Sequence, residues 1–360
     1  MDLSRILIIK PSSLGDVIQA LPVAWALREL CPKSRIDWLV TPGCAGIVEG
    51  LPPLDHVVVF DRNRFGRMWR NPLTLCAFGW FIAKLRRPRY TTVIDLQGLF
   101  RSGFLAWASG AGCRLGLADS REGADRFYTR TIPLPTEEIS SVDRYMQAAF
   151  HLGVPHDAPR RFDVTIPAKA EADAQRVLDE QGLNGRRYVV LVPGARWMTK
   201  RWPEERFAAL ANRLHEKLGL AAVLVGAPDD RDISERMRQL RGRHMIDLIG
   251  RTNLKALAAV LRRAECIVTN DTGPMHLASA MGRPIIAIFG PTNVNLTGPY
   301  GPGHVVLAER ADCAPCYRRS CLWEGQRQEL VCQRSISVDE VFECVRQLTA
   351  ADSPSQEGGP

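Results

Sequence analysis

No stretch of about 18 consecutive apolar residues occurs in this 360-residue chain, so no segment can cross a bilayer as a helix. The turn Lys10-Pro11-Ser12-Ser13-Leu14-Gly15-Asp16 follows the first strand-like run but matches neither G-x-G-x-x-G nor G-x-x-x-x-G-K-S/T. The missing first pattern disfavours a dinucleotide oxidoreductase. The N-terminal apolar run, Ile6 to Ile9, is short, meets Lys10 at once and has no small-residue cleavage site. No signal peptide is therefore expected, and a cytoplasmic location is. No short internal repeat and no nucleic-acid-binding motif occur, so nucleic acid is not an expected partner. With 46% hydrophobic and 24% charged residues, the composition excludes a disordered chain, a collagen and a disulfide-stapled miniprotein. The ten cysteines fit a reducing compartment as thiols.

Acid is absent from one long segment. The net charge is 47 − 39 = +8. Between Arg62 and Arg89 lie Arg62, Arg64, Arg67, Arg70, Lys84, Arg86, Arg87 and Arg89, with no Asp or Glu. This segment alone carries a charge equal to the whole excess. Inside it, Leu73 to Ala83 (LTLCAFGWFIA) is too short to span a bilayer but could lie in its interface. Its alternative is a core helix with a solvated basic rim.

Strand-like and helix-like stretches alternate along the chain. Ile6–Ile9, Arg35–Val40, Val57–Phe60 and Thr92–Leu96 read as buried strands, and Val17–Leu30 as a helix interrupted near its start by Pro22. After a polar interval between Val164 and Gly185 the pattern restarts. Strands are expected at Tyr188–Val192, Ala221–Val225, Ile246–Ile249, Cys266–Thr269 and Pro284–Phe289. Helices are expected at Glu171–Gln181, Glu204–Leu218, Ile233–Leu240, Leu254–Arg263 and Met275–Met281. Such alternation implies α/β domains with parallel sheets and right-handed crossovers. Two doubly wound domains facing across a cleft are expected: 1–167 and 168–335, then a C-terminal helix over 336–350 and a disordered tail over 351–360. Ser337 and Glu340 form a capping box for that helix.

The Gly-bearing turns fall at strand C-terminal ends, where ligands of such sheets bind. Asn270-Asp271-Thr272-Gly273-Pro274-Met275-His276 opens a helix, whose free N–H groups and dipole favour an anion. Asp271 or Thr272 could cap, Pro274 suits the first turn, and His276 can reach a phosphate or ribose. The alternative is a plain cap with a satisfied histidine. Pro193 to Pro203 (PGARWMTKRWP) offers Arg196, Lys200 and Arg201 to a diphosphate; otherwise it is a solvated cationic loop. Asp16 could act as a general base on a hydroxyl, or simply cap its helix. Cys313-x2-Cys316-x4-Cys321-x10-Cys332 could hold zinc, but its second half is not a C-x-x-C pair. A loop of unligated thiols is the preferred reading, and no metal is expected.

Taken in order, these pieces resemble glycosyltransferase family 9, the lipopolysaccharide heptosyltransferases. Ser12-Ser13-Leu14-Gly15-Asp16, Asp95-Leu96-Gln97-Gly98, Lys200-Arg201-Trp202-Pro203, Asn270 to His276, Phe289-Gly290-Pro291-Thr292 and Gly298-Pro299-Tyr300-Gly301 carry the likeness across nearly the whole chain. The resemblance implies the GT-B fold, two Rossmann-like domains, and inverting, metal-independent transfer of heptose from ADP-heptose to the lipopolysaccharide core. It implies Asp16 as general base and Lys200 as the diphosphate-binding lysine. Gly194, Arg196, Lys200, Thr252, Asp271, Thr272, Gly273 and His276 would bind the donor. Ser12, Ser13, Gly15, Arg62, Arg64, Gln97 and Arg101 would bind the acceptor, a phosphorylated lipid-linked core oligosaccharide. No cofactor is implied, and the basic segment suits the cytoplasmic face of the inner membrane. Family members often carry an acidic residue just after the Gly226-Ala227 turn; here Pro228 stands there, followed by Asp229 and Asp230. Arg196 falls where some relatives have a small hydroxyl residue. Transfer from another nucleotide sugar and non-catalytic sugar-nucleotide binding are the alternatives.

Overall fold

The computed structural model describes residues 1–66, 71–135, 138–183, 185–240, 244–308, 311–327 and 329–351. Arg67, Arg70 and the tail expected over 351–360 lie outside these, apart from the backbone of 351. The chain divides into two compact units, Met1–Thr165 and Ile166–Pro360.

The first unit runs β1 (Arg5–Ile9), α1 (Leu14–Gln19), α2 (Leu21–Leu30), β2 (Arg35–Val40), α3 (Pro42–Val48), β3 (His56–Val59), α4 (Arg62–Phe65) and α5 (Pro72–Arg86). It continues with β4 (Thr92–Asp95), α6 (Phe100–Ala108), β5 (Cys113–Leu117), β6 (Arg130–Ile132) and α7 (Ser141–His151). The second unit runs α8 (Ala168–Glu180), β7 (Tyr188–Val192), α9 (Glu204–Leu218), β8 (Ala221–Leu224), α10 (Arg231–Gln239), β9 (Met245–Asp247) and α11 (Leu254–Arg263). Then follow β10 (Ile267–Asn270), α12 (Gly273–Ala280), β11 (Ile285–Phe289), α13 (Val294–Thr297), β12 (Val305–Ala308), α14 (Val331–Arg334) and α15 (Val338–Ala351).

Each unit contains one six-stranded parallel sheet. The orders are β3-β2-β1-β4-β5-β6 and β12-β11-β10-β7-β8-β9. Counted within its own unit, each is the doubly wound order 3-2-1-4-5-6. The central strands read as near-continuous apolar runs because helices cover both faces. Ile6 to Ile9 and Val189 to Val192 are all buried. In the second unit Trp202 and Phe207 meet edge to face at 4.9 Å inside the core, and Val341, Phe342 and Val345 of α15 complete it. Ser337 and Glu340 do form the expected capping box: Ser337 N–H and Oγ each bond Glu340 Oε2, at 2.7 and 2.8 Å.

The single helix expected over Val17–Leu30 is two. α1 ends at Ala20, and α2 begins with Pro22 in its first turn, where a missing N–H costs nothing. β5, β6 and β12 carried too weak an apolar pattern to be expected. Strand order reverses between β1 and β4, and again between β7 and β10. The turns leaving these four strands hold most of the candidate residues.

Candidate active site

In the first unit, Asp16 sits in the third position of α1. Its Oδ2 accepts from Ser13 N–H at 3.0 Å and from Ser13 Oγ–H at 2.7 Å. Ser13, not Asp16, is the N-cap: Asp16 answers it from the third helical position as a capping box, rather than capping the helix itself. Two further partners come from outside it. Tyr145 of α7 donates its hydroxyl to Asp16 Oδ1 at 2.7 Å, and Lys10 Nζ lies 3.4 Å from the same oxygen. Burial alone would push the Asp16 carboxyl up, but the Lys10 ammonium and the bonds from Ser13 and Tyr145 outweigh it and hold it well below the usual range. The side chain remains 37% exposed. Asp16 is thus a fixed, ionised carboxylate with access to solvent.

The β4 turn is built on a buried acid. Asp95 Oδ1 accepts from Gln97 and Gly98 N–H at 2.9 and 3.2 Å, and Tyr128 donates to Oδ2 at 2.7 Å. Burial raises the Asp95 carboxyl despite these bonds. The turn presents Gln97, whose Oε1 is buried with no hydrogen-bond partner among the described residues. Gln97 lines a cavity of about 190 Å³ with Ser12, Arg62, Arg101 and Glu122. Arg62 arrives on α4, which Asp61 caps by accepting from Asn63 and Arg64 N–H. Of the expected acceptor residues, Ser12, Arg62, Gln97 and Arg101 line this cavity; Ser13 and Gly15 share the neighbouring turn, and Arg64 does not line it.

In the second unit, Lys200 ends a 3-10 turn (Met198–Lys200) after β7. Its Nζ bonds Asp271 Oδ2 at 2.5 Å, and Thr292 Oγ–H donates to that oxygen at 2.7 Å. An ammonium has three N–H donors, so Asp271 fixes Lys200 and leaves donors to spare. Lys200 also stands 4.8 Å over the Trp197 ring. Asn270 ties the two turns together: its Oδ1 accepts from Trp202 N–H at 3.0 Å, and its Nδ2 donates to Pro193 carbonyl at 2.8 Å. Thr272 occupies the N-cap position of α12 but makes no side-chain cap bond, and Asp271 is spent on Lys200. Among the described residues, no side chain therefore caps the N–H groups at this helix start. His276 is buried one turn on.

Gly194 and Asp230 fit together. A Cβ on Gly194 would stand 2.6 Å from Asp230 Oδ2. Asp230 is held there by Ala227 N–H at 3.0 Å and by Arg201 at 3.8 Å, and burial raises its carboxyl. Asp229 is exposed. Arg196 is exposed and has no ion-pair partner among the described residues, whereas Arg201 Nε donates to Ala195 carbonyl at 2.9 Å and closes the loop. Thr252 is half-buried between Gly250 and the N-cap Asn253, with no hydrogen bond to the Lys200–Asp271 pair.

Cys313, Cys316, Cys321 and Cys332 line a small cavity of about 20 Å³ with Thr199 and Pro291. All four are free thiols. Burial, with the three neighbouring thiols adding to it, pushes Cys332 up to about 11. Among the described residues, no three or more His, Cys, Asp or Glu side chains are arranged to hold a metal ion.

A family model described as glycosyltransferase family 9 (heptosyltransferase) matches residues 79–326. The chain belongs to this family. It is 32% identical over 333 residues to lipopolysaccharide heptosyltransferase 1 of Pseudomonas aeruginosa, covering 90% of this chain and 89% of that one. The corresponding Escherichia coli K12 protein is 28% identical over 306 residues, 84% and 92% of the two chains. Among solved structures, the family 9 glycosyl transferase of Veillonella parvula aligns with a TM-score of 0.79 at 27% identity, over 98% of this chain and 99% of its own. The E. coli heptosyltransferase WaaC with ADP aligns at 0.75 and 26%, over 96% and 99%. This protein is a glycosyltransferase, and its two Rossmann-like units are those of the GT-B fold.

In this family 9 enzyme Lys10, Tyr145, Thr292 and Glu122 also belong to the candidate site, although the sequence pattern does not single them out. Lys10 carried a signal: a cation closing a fully apolar central strand needs a partner. Tyr145 lies 129 residues from Asp16 and carried none.

Proposed function

We propose that this enzyme transfers heptose from ADP-heptose to the lipopolysaccharide inner core, with inversion, with Asp16 as general base and with no essential metal. The observation that carries the reading is Asp16: ionised, part-exposed and locked by donors on both oxygens. A mere helix cap would need only Ser13. Names of relatives point the same way, as does WaaC, 26% identical, solved both with ADP and with ADP-2-deoxy-2-fluoro heptose.

In this mechanism the acceptor hydroxyl attacks the anomeric carbon of the heptose. A new C–O bond forms there as the bond to the diphosphate oxygen breaks, and ADP leaves. The hydroxyl proton passes to Asp16. Oδ2 is filled by both Ser13 donors, whereas Oδ1 holds one hydrogen bond, from Tyr145, with Lys10 standing off at 3.4 Å, so Oδ1 keeps the lone pair that takes the proton. An acidic carboxylate is a weak base, which suits a proton that becomes acidic only as its oxygen bonds to carbon. Lys200, Arg196 and the start of α12 offset the charge growing on the diphosphate, which is the largest electrostatic demand of the step. Gly194, Thr272, Gly273, His276 and Thr252 complete the donor site, and Asp230 takes the place of the acid that family members often carry after their Gly-Ala turn. Gln97 Oε1 accepts from an acceptor hydroxyl, while Arg62 and Arg101, with Arg64 beside them, meet acceptor phosphates. The acceptor is lipid-linked, and the enzyme works as a peripheral protein at the cytoplasmic face of the inner membrane.

The test is Asp16→Asn, assayed for heptose transfer and, by calorimetry, for binding of ADP, UDP and GDP. The reading expects transfer to fall by about 10³-fold or more, with selective ADP binding retained. Intact transfer would remove Asp16 as base, and preference for UDP or GDP would overturn the donor.

A further inference from the structure

Helix α5 is apolar on two sides. Of its residues only Phe81 and Leu85 are buried; they pack into the first core with Ala77, Phe78 and Ile82 alongside. A surface helix ordinarily turns a polar face outward. Here the outward stripe at helical spacing is Leu73, Cys76, Trp80, Lys84 and Arg87. Leu73 is 78% exposed and Trp80 67%. The stripe changes character along its length, from apolar at Leu73 to cationic at Lys84 and Arg87. Lys84 Nζ stands 5.4 Å over the Trp80 ring, so the charge sits directly at the edge of the apolar surface.

Beside this stripe the C-terminal half of α5 leaves a groove of about 450 Å³ against β3, the edge strand of the first sheet. Val57, Val59, Trp80, Phe81 and Leu85 give it apolar walls, and Lys84 and Arg87 lie at its lining. The one acid lining it, Asp37, is fully buried and already neutralised: Tyr90 donates to it at 2.6 Å and Arg35 pairs with it at 2.9 Å. The groove therefore offers apolar volume with positive charge and no competing acid.

We propose that the outer stripe of α5 and the adjoining α5–β3 groove form the surface by which the enzyme lies on a bilayer containing anionic phospholipid. Leu73 and Trp80 enter the interface, Lys84 and Arg87 meet lipid phosphates, and the groove accepts an acyl chain displaced by that contact. At about 1.5 Å per residue α5 can lie in the interface but cannot cross it. Charge complementarity selects this occupant. An acid-free cationic segment repels a second copy of itself, and a nucleic acid would leave Leu73 and Trp80 in water. The proposal deepens the lipid-linked acceptor reading and takes its purpose from it, but its test needs neither donor nor acceptor.

The full-length protein is floated with vesicles of phosphatidylcholine alone, or with about one-third phosphatidylglycerol. Two variants are compared with it: Leu73→Ser/Trp80→Ser and Lys84→Glu/Arg87→Glu. All four side chains are exposed, so unchanged thermal melting is the control for folding. The expected result is at least tenfold preference for the anionic vesicles, loss of most binding in each double variant, and undiminished transfer to a deacylated, water-soluble acceptor by both. Equal binding to both vesicle types, or wild-type binding by both variants, overturns the proposal. So does loss of self-association, rather than of vesicle binding, in the variants. Failure of transfer to the soluble acceptor by the wild-type enzyme would instead count against the proposed reaction and leave the vesicle result standing.

Discussion

Lys10 Nζ lies 3.4 Å from Asp16 Oδ1, and it is the strongest of the influences that keep this carboxyl acidic. Burial lowers the Lys10 ammonium itself, with Asp16 opposing. The two are thus mutually dependent: one charge is tolerated at the end of β1 because the other is there. A depressed carboxyl contributes stability above its ordinary value of 3.8 and loses that contribution as pH falls below it. The same sign governs catalysis. In the wild-type enzyme kcat/KM should show no acid limb in the ordinary carboxylate range. Lys10→Met keeps the volume and removes the cation, so the limb should rise by about one pH unit or more. A profile unchanged by Lys10→Met would mean that Asp16 does not set it.

Gly194 and Asp230 give a second test. Alanine at 194 would drive its Cβ against a carboxylate 2.6 Å away, and that carboxylate must swing off Ala227 N–H and Arg201. The displaced group is the end of a side chain, so the fold should hold, with a cost within about 1–3 kcal/mol. The donor KM should rise about tenfold or more. Because the damage runs through Asp230, Gly194→Ala/Asp230→Ala should be no worse than Asp230→Ala alone. Steady-state kinetics on the three variants decides it; additive losses would separate the two residues.

What could be read from the residues, and what could not, follows from where each constraint lies. β7, α9 and α11 are legible because their apolar periodicity and caps are local. The Asp16, Lys200 and Asp271 turns are legible because strand–turn–helix junctions advertise free backbone donors. β5 was illegible for a specific reason. Gly116 interrupts its pattern, and a glycine inside a strand argues against one. The glycine is there because the Tyr128 ring fills the place of its Cβ, which would meet that ring at 2.0 Å. Tyr128 can then reach Asp95 under the Gln97 turn. Likewise Tyr145, Thr292 and Glu122 join the site only through tertiary packing, and spacing along the chain says nothing of that. The break between α1 and α2 is the intermediate case: Pro22 marked it, but a proline in a first turn begins a helix as readily as it interrupts one.

Lys200 and Asp271 are both largely buried, with 17% and 7% of their side chains exposed. Removing one charge of such a pair leaves the other uncompensated, at a cost of about 3–5 kcal/mol. Asp271→Ala should therefore lower stability by that order in urea unfolding and also weaken ADP, since Lys200 loses the contact that aims it. Asp271→Asn keeps an oxygen for Lys200 and for Thr292, and should recover much of the stability but less of the affinity. Lys200→Met should weaken ADP by about tenfold or more, the loss of one charge-assisted bond. ADP affinity unchanged in Lys200→Met would remove Lys200 from the diphosphate site.

Gln97 separates stability from function most cleanly. Its buried Oε1 has no partner among the described residues, although it lines the 190 Å³ cavity with Arg62 and Arg101. An unpaired buried acceptor costs free energy that a bound hydroxyl would recover. Gln97→Leu removes that oxygen at similar volume, so thermal stability should stay level or rise. The acceptor KM should rise about tenfold, with the donor KM and ADP affinity unchanged because the proposed donor contacts belong to the second unit. Measuring both KM values alongside the melting temperature checks it. A loss of stability with acceptor KM unaltered would make Gln97 a structural residue and move the acceptor elsewhere.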